Sequence, residues 1–405
     1  MMVARWFFVG LFGLLAGVLL VRYLVASPMV MSLYLLMLVV SLALLAWGIL
    51  RLFRGQAAGL GLLLALVSFI AAYLVTNSLF LHQEEARELP AVQARGAGEG
   101  GHTAVVYLTH GEPPAYSPMP WVETFKEIDS IGAPFIPVPF RPFFFQQLRN
   151  EYLKVGGSPH NFVHQAMLNS LEQMFRLEGD QDTRFYIAFL DSNPRPDESV
   201  IRAVNEGASR VVVANVFLTV SSHTQAGQEL VDEVDLAQYG IDVCMAPPLW
   251  DSPSLKQMFV ERANRNLNGT DKSKVGILLV GHGQPADWDK LYPTQTEQEL
   301  LFRQEVMDLL VQDGYTRENI SLAWMEFKEP AIEEITLELG QRGVEKIFVF
   351  AASISDASIH SEYDIPEAVH AAGLPESVEV INLGAWDNDP LVIEAIREKL
   401  RDCGL

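Results

Sequence analysis

The stretch LLVGHGQPADWD, residues 278–289, places an apolar run directly before a Gly-His-Gly-Gln-Pro turn. The residues from Ile277 to Val280 have the continuous hydrophobicity of a strand that is covered on both faces, as in a parallel sheet. The glycines on either side of His282 allow the chain to turn sharply and to expose the imidazole. Because ligands of open α/β sheets bind beyond the carboxyl ends of the strands, the stretch predicts an α/β fold with His282 at a binding site.

The pattern around this turn belongs to an internal repeat. Three segments of the first half match three segments of the second half in the same order, which indicates a duplication. The matching pairs are TAVVYLTHGEP (103–113) with VGILLVGHGQP (275–285), GASRVVVANVFLTVSSH (207–223) with GVEKIFVFAASISDASIH (343–360), and APPLWDSPSL (246–255) with NLGAWDNDPL (382–391).

Helical patterns lie between these strands. Residues 158–177 begin with a Ser cap and have apolar residues at helical spacing, and residues 295–314 repeat the pattern and stop at Gly314. Strands that alternate with helices predict two doubly wound, Rossmann-like α/β halves with parallel sheets. We expect the first half at residues 102–256 and the second half, with the main site, at 257–405.

The first 82 residues predict a membrane segment with three transmembrane helices. Three nearly uncharged apolar stretches are each about 20 residues long, the length that crosses a bilayer; they run from Trp6 to Val25, from Met29 to Leu50 and from Leu60 to Leu81. Residues 83–101 lack periodicity and predict a linker.

The arginines of the loops favour one orientation. Arg5, Arg51 and Arg54 would share one side of the membrane, against Arg22 on the other. By the positive-inside rule the amino terminus is cytoplasmic and the large domain is on the extracytoplasmic side. The alternative for the first stretch is a signal peptide, but its apolar core is long and no cleavage site of small residues follows it.

Charge and cysteine content exclude several classes of partner. The net charge is −21, and the first 100 residues contain only six basic and four acidic side chains, so the acidic excess belongs to the large domain. This argues against nucleic acid as a partner. Two cysteines, Cys244 and Cys403, are too few for a disulfide framework, a zinc-thiolate site or an iron–sulfur cluster, and they say little about the redox compartment.

Each half contains two histidines after a strand, His110 and His223 in the first and His282 and His360 in the second. Two imidazoles that converge in a cleft suit a borderline divalent metal such as Fe²⁺ or Co²⁺, and two ligands hold such a metal loosely enough to pass it on. The alternative is that these histidines are ordinary loop or cap residues. The five other histidines are given no role; they are His82, His102, His160, His164 and His370.

The second half resembles the cobalt and sirohydrochlorin chelatases, which are class II tetrapyrrole chelatases. The motifs that carry the resemblance are GHGQP, WMEFKEPAIEEI (324–335), IHSEYDIPEAV (359–369) and NLGAWDNDPLV (382–392). The resemblance implies that His282 and His360 bind the metal and that Glu326 lies near them. It further implies a lyase that takes the divalent metal as a substrate, with no permanently bound cofactor.

The first half is similar to the related ferrochelatases. RNEYLKVGGSPHN (149–161) and VFLTVSSHTQAG (216–227) resemble segments of that family. Six residues of this half are expected to contact the tetrapyrrole, namely Gly156, Gly157, Ser158, His110, His223 and Thr224. One position departs from the ferrochelatase pattern: Ser355-Asp356 is followed by Ala357-Ser358-Ile359, so the expected catalytic Glu is absent and His360 stands nearby.

Metal insertion needs a partly dehydrated metal, acceptors for two pyrrole protons and a bent macrocycle. Neutral imidazole can bind metal or accept a proton near pH 7, so either His282 or His360 could do either job. Glu362 and Asp364 are expected, with Glu326, to orient these imidazoles or relay protons. The oligomeric state is left open, and a non-catalytic metal or tetrapyrrole binding protein is the alternative function.

Two further features could serve a carboxylate-bearing, flat substrate. The segment at Gly156 could form an anion-binding nest, with Arg141 and Arg149 as nearby cations. The four phenylalanines of PFRPFFFQQL (139–148) could wall the macrocycle, fill a core or face the membrane.

Overall fold

A computed structural model describes residues 2–53, 56–84, 87–93, 101–130, 132 and 136–405. The chain divides into two units. The helical unit contains Met1–Arg87 and Ala115–Gly157, and the α/β unit contains Glu88–Pro114 and Ser158–Leu405. Arg54 and residues 85, 86 and 94–100 of the predicted linker lie outside the described residues.

The helical unit contains the predicted membrane helices and a pair of later helices. Its elements are α1 (Met2–Val25), α2 (Pro28–Leu52), α3 (Gln56–Leu81), α4 (Met119–Ser130) and α5 (Arg141–Val155). The first three are long and apolar enough to cross a membrane, over Val3–Val25, Pro28–Leu52 and Ala57–Leu81. The Arg5 side chain donates to the Leu52 carbonyl at 3.2 Å, so the start of α1 lies beside the end of α2.

Arg149 joins α5 to the end of α1 within this unit. Its buried guanidinium donates to the carbonyls of Tyr23 at 2.7 Å and Ala26 at 2.9 Å, both at the carboxyl end of α1. These carbonyls have no partner within their own helix, so a fixed cation satisfies them. Arg141 is likewise buried and forms a bidentate ion pair with Asp129. Both guanidiniums therefore make their contacts within the helical unit, whereas the sequence suggested that they could bind the substrate.

The four phenylalanines of the 139–148 segment divide between core and surface. Phe145 is fully buried against Phe80 and Phe125, and Phe144 packs against Trp121. The other two are largely exposed; they are Phe140 and Phe143. Half of the cluster is thus core of the helical unit.

The α/β unit contains two four-stranded parallel sheets with the same strand order, β2-β1-β3-β4 and β6-β5-β7-β8. The strands are β1 (His102–Thr109), β2 (Arg184–Phe189), β3 (Ala208–Asn215), β4 (Asp242–Met245), β5 (Val275–Gly281), β6 (Ile320–Trp324), β7 (Lys346–Ala351) and β8 (Glu379–Gly384). The identical order confirms the predicted α/β fold and its duplication.

Helices connect the strands, as parallel pairing requires. They are α6 (His160–Leu177), α7 (Pro196–Asn205), α8 (Ser222–Asp232), α9 (Pro253–Arg265), α10 (Trp288–Leu291), α11 (Pro293–Gln312), α12 (Ile332–Gln341), α13 (Ile365–Ala371) and α14 (Pro390–Arg401). A single π-helical turn, His360–Asp364, precedes α13.

Side chains on one face of each central strand, β1 and β5, pack into one core that both halves share. On β1, Val105 and Tyr107 point to the same buried cluster as Ile277 and Leu279 of β5. Side chains from α6, α9, α11 and α14 fill this cluster, while the opposite face of each sheet packs in a separate cluster. Because strand side chains alternate between faces, each central strand is buried on both sides, which explains its uninterrupted hydrophobicity.

A disulfide ties the end of the chain to the first half. Cys244 on β4 and Cys403 after α14 are joined across a sequence separation of 159 residues. Cys403 is buried. This pairing was not predicted, because the two cysteines belong to different copies of the repeat.

Candidate metal and tetrapyrrole site

The predicted turn at His282 follows β5 directly. Gly281 ends the strand where a side chain would overlap the buried guanidinium of Arg303, and Gly283 has a φ of +83°, which favours glycine. A side chain at Gly283 would also overlap the carbonyl oxygen of Glu326. These two glycines are required for the turn that exposes His282 at the end of the sheet.

A buried carboxylate on α11 holds this turn. The Glu299 side chain accepts the backbone N–H of His282 and, at 3.4 Å, that of Gly283. In the first half the equivalent contact comes from α6, where His160 Nε2 accepts the Gly111 N–H at 3.0 Å. Each half therefore fixes its His-Gly turn with a polar side chain from the following long helix.

Backbone carbonyls set the tautomer of both turn histidines. His282 Nδ1 lies 2.7 Å from the Gly283 carbonyl oxygen, and His110 Nδ1 lies 3.1 Å from that of Gly111. Because a carbonyl only accepts, Nδ1 carries the hydrogen in each neutral ring. The Nε2 lone pair of each imidazole is then the one available to a metal or a proton.

His360 faces His282 and is paired with Asp364. The His282 and His360 ring centroids are 5.5 Å apart with planes at 87°. His360 Nδ1 lies 2.6 Å from Asp364 Oδ2, one turn further along the chain. Burial lowers the pKa of His360, but the hydrogen bond and charge of Asp364, with the charge of Glu326, outweigh it and raise the pKa to about 9. His360 is therefore protonated near pH 7.

The first-half histidines also lie close together, but here the carboxylate contacts the turn histidine. The His110 and His223 centroids are 4.7 Å apart, and Asp191 lies 3.2 Å from His110 Nδ1. Burial, together with the charges of His110 and His282, lowers the pKa of His223 well below its ordinary value, so His223 is neutral at pH 7. The structure brings all four predicted histidines together at the carboxyl ends of the two sheets.

The three predicted carboxylates occupy different positions. Asp364 contacts His360 directly. Glu326 is exposed after β6, with its backbone N–H 3.1 Å from the His282 carbonyl. Glu362 is also exposed, and Ser361 Oγ lies 3.4 Å from its carboxylate.

The remaining predicted contacts are engaged locally. Ser158 is buried and its hydroxyl donates to Glu112, while Thr224 caps the start of α8 by bonding the backbone of Ser221. Gly156 and Gly157 belong to the helical unit, where Gly156 ends α5 in a left-handed conformation.

Several buried polar residues near the histidines were not predicted. His160 and His164 on α6 meet Asp356, which follows β7 in the second half. Burial opposes the charge of Asp356, but the two imidazoles hold the pKa of its carboxyl below its ordinary value. The only available signal was the spacing of four residues between the two histidines, which puts them on one helix face.

Comparison with known proteins agrees with this architecture. The sequence model of the Ferrochelatase family matches residues 102–403. A ferrochelatase of Synechococcus sp. is 26% identical over 272 residues, which is 63% of this chain and 77% of the relative. A sirohydrochlorin cobaltochelatase of Methanothermobacter thermautotrophicus is 31% identical over 115 residues, which is 28% of this chain and 67% of the relative.

Among solved structures, SirB from Bacillus subtilis with Fe³⁺ is similar at a TM-score of 0.49 and 14% identity, over 74% of this chain and 95% of that one. The family match runs through both halves of the α/β unit, from the start of β1 to the cysteine that closes the disulfide. The chain therefore belongs to the ferrochelatase family.

Proposed function

We propose that this protein is a membrane-anchored chelatase that inserts Fe²⁺ or Co²⁺ into a tetrapyrrole of the porphyrin or sirohydrochlorin type. The observation that carries the proposal is the facing pair His282 and His360, whose Nδ1 atoms are both held by oxygen acceptors, so that the two Nε2 atoms are the ones that can bind a metal or exchange a proton. The metal is a substrate that enters and leaves this pair. Family membership supports the same reaction class.

The two histidines are suited to different steps. His282 has its Nδ1 hydrogen fixed on a neutral carbonyl, which suits a metal ligand. His360 is paired with Asp364, and a carboxylate stabilises the imidazolium that forms when a proton is taken up. In each turnover two pyrrole N–H groups lose their protons as the dication binds four ring nitrogens. Because the raised pKa of His360 leaves it protonated near pH 7, we assign it a relay: it passes its Nε2 proton to exposed Glu326 and takes up one pyrrole proton in exchange, while the second pyrrole proton leaves to solvent through Glu326.

His110 and His223 form the opposite pair of imidazoles and are proposed to contact the macrocycle. His223 is neutral, so it presents a ring to the substrate without a charge. Ser158 and Thr224 support this region through their local hydrogen bonds. Contacts from Gly156 and Gly157 to substrate remain a sequence prediction.

We also propose that the α/β unit lies on the extracytoplasmic side. The Cys244–Cys403 disulfide supports this, because disulfides persist in oxidising compartments and are rare in the cytosol. The arginine distribution points the same way, and three crossings carry the chain to the side opposite its amino terminus. Protease added to intact spheroplasts should cut the α/β unit; protection there, with cutting only after lysis, would place it in the cytoplasm.

The full chain in detergent tests the activity. It is supplied with Fe²⁺ or Co²⁺ and either sirohydrochlorin or a dicarboxylate porphyrin, and metallation is followed by absorbance. We expect turnover with one of these macrocycles, and a fall of at least about a hundredfold in the His282→Ala variant. The control is His370→Ala, which removes an exposed imidazole of α13. Equal rates in both variants would refute the role of His282.

The second candidate is a non-catalytic binding protein, and the absent ferrochelatase Glu near Ala357 favours it. In that case no macrocycle would be metallated above the uncatalysed rate by a folded wild-type chain. Tetrapyrrole binding, measured by fluorescence quenching, would then persist in both His282→Ala and His360→Ala. Turnover by the wild-type chain removes this candidate.

A further inference from the structure

A second group of ligand atoms lies behind the His110 turn, apart from the facing pair His282 and His360. His160, His164 and Asp356 have side chains that are only 4%, 0% and 1% exposed. Their ligand atoms lie within 4.8 Å of one another. The two histidines come from α6 in the first half and Asp356 comes from the second half, so the cluster spans the contact between the halves.

The hydrogen bonds of His160 leave one oxygen of Asp356 unused. His160 Nε2 accepts the Gly111 N–H, so its hydrogen is on Nδ1, which donates to Asp356 Oδ2 at 2.7 Å. Asp356 Oδ1 is buried and accepts no hydrogen bond from the part of the chain that the structure describes. A buried carboxylate oxygen without a partner is costly, so a ligand there would be stabilising.

One ring nitrogen of His164 lies close to this Asp356 oxygen. Its Nδ1 lies 2.8 Å from the Tyr107 hydroxyl, which can accept that hydrogen and fix the tautomer. Its Nε2 then lies 3.6 Å from Asp356 Oδ1, 3.1 Å from Thr109 Oγ1 and 3.1 Å from Ser355 Oγ. One carboxylate oxygen and two hydroxyl oxygens therefore lie within 3.6 Å of a single imidazole nitrogen.

We infer that this cluster binds a small divalent cation of the Fe²⁺, Co²⁺ or Zn²⁺ class through His164 Nε2 and Asp356 Oδ1, with the Thr109 and Ser355 hydroxyls completing the shell. Mixed nitrogen and oxygen ligands suit these ions. His160 and Tyr107 orient the two main ligands, as neighbours of metal ligands commonly do. The site goes beyond the proposed function, because its ion is retained and joins the halves, whereas the metal at His282 and His360 is consumed.

The contrast between the two halves supports a special role for this position. In the second half the corresponding helix residues are Glu299 and Arg303, again four apart, and Arg303 donates to the carbonyl of Ala323 at 2.7 Å. There a guanidinium fills the space behind the turn with its own five donors. In the first half two imidazoles, His160 and His164, occupy the equivalent positions. They contact an additional carboxylate, Asp356, which comes from the other half.

The test separates this site from the substrate site. Full-length protein that carries both His282→Ala and His360→Ala is dialysed against Co²⁺ in detergent, and bound cobalt is measured by elemental analysis and visible absorption. We expect one tightly held ion per chain. Asp356→Asn in the same background should weaken Co²⁺ binding at least about tenfold, and Thr109→Val should weaken it as well.

Asp356→Asn and Thr109→Val test the cluster independently of one another. If Asp356→Asn does not fold, Thr109→Val, which keeps the side-chain shape, carries the test. The inference is overturned if the double variant retains no cobalt, or if neither substitution changes the affinity. Because the readout is binding in a chain that lacks the substrate site, failure of the proposed chelatase activity leaves this result unaffected.

Discussion

At the scale of single residues, the site depends on which ring nitrogen carries the hydrogen. A carbonyl oxygen fixes Nδ1–H in His282 and in His110, and a carboxylate does so in His360. Each acceptor is supplied by the same turn or the next one along the chain, so local backbone geometry orients the imidazoles. The charge on Asp364 then distinguishes His360 from His282, whose Nδ1 faces a neutral carbonyl, because a carboxylate favours a protonated ring.

The Asp364→Asn substitution tests that distinction. Asparagine can still accept the Nδ1 hydrogen but lacks the charge, so the pKa of His360 should fall from about 9. We expect the rate of metal insertion to fall about ten- to a hundredfold, with macrocycle binding retained. NMR titration of the imidazole and metallation kinetics measure the two effects. Glu362→Gln, which removes an exposed charge nearby, is the control, and an equal loss in both variants would contradict the assignment.

The sequence predicted these histidines better than it predicted their partners. His282 and His360 follow strands within a repeated pattern, and that pattern is visible in the amino-acid sequence. His160 and Asp356 lie 196 residues apart and meet only because the two halves pack together. A pair of histidines on a helix face is common in cores, so nothing in the local sequence marked it.

At the scale of elements, the turn after β5 is the feature that places His282. It requires glycine twice, once to leave room for Arg303 and once for a left-handed φ beside Glu326. The sequence predicted this strand and turn because apolar runs and glycines have strong local preferences. It placed His223 and His360 only as residues that follow a strand; in the structure His223 lies in the first turn of α8, and His360 begins the π-helical turn.

We expect Gly283→Ala to be more harmful than glycine replacement elsewhere. Gly343→Ala is the matched control, since Gly343 also has a positive φ of +76° but open space around it. Both variants lose about 1 kcal/mol from the left-handed conformation, and Gly283→Ala should lose at least about 1 kcal/mol more through overlap with Glu326. Urea unfolding of the two variants measures the difference; equal free energies of unfolding would show that the turn has room to adjust.

At the scale of the whole molecule, the duplication explains most of the α/β unit. The repeat predicted two parallel sheets with one strand order, because matched segments fold alike; the core that the two sheets share was not predicted. The grouping of residues 115–157 with the membrane helices was not predicted, because it depends on contacts such as that of Arg149 with Tyr23, far apart in sequence. The disulfide was not predicted for the same reason, because its two cysteines lie 159 residues apart.

Loss of the disulfide should destabilise the α/β unit. The bond closes a loop of 159 residues, and removal of such a cross-link costs about 2–5 kcal/mol through the unfolded state. We expect the Cys244→Ala/Cys403→Ala variant to unfold at lower urea concentration than the oxidised wild type. Wild type treated with reductant should behave like the variant. Identical unfolding of oxidised and reduced wild type would contradict a stabilising role.

A single-turnover experiment separates metal insertion by the facing histidines from macrocycle binding and product release. Excess full-length protein is mixed with a limiting amount of the macrocycle that it binds and with Fe²⁺ or Co²⁺, and the absorbance change of metallation is timed in wild type and in His360→Ala. We predict rapid metallation by the wild type and a rate at least about a hundredfold lower in the variant, with the macrocycle still bound. Equal rates in the two proteins would show that the facing histidines do not perform the insertion.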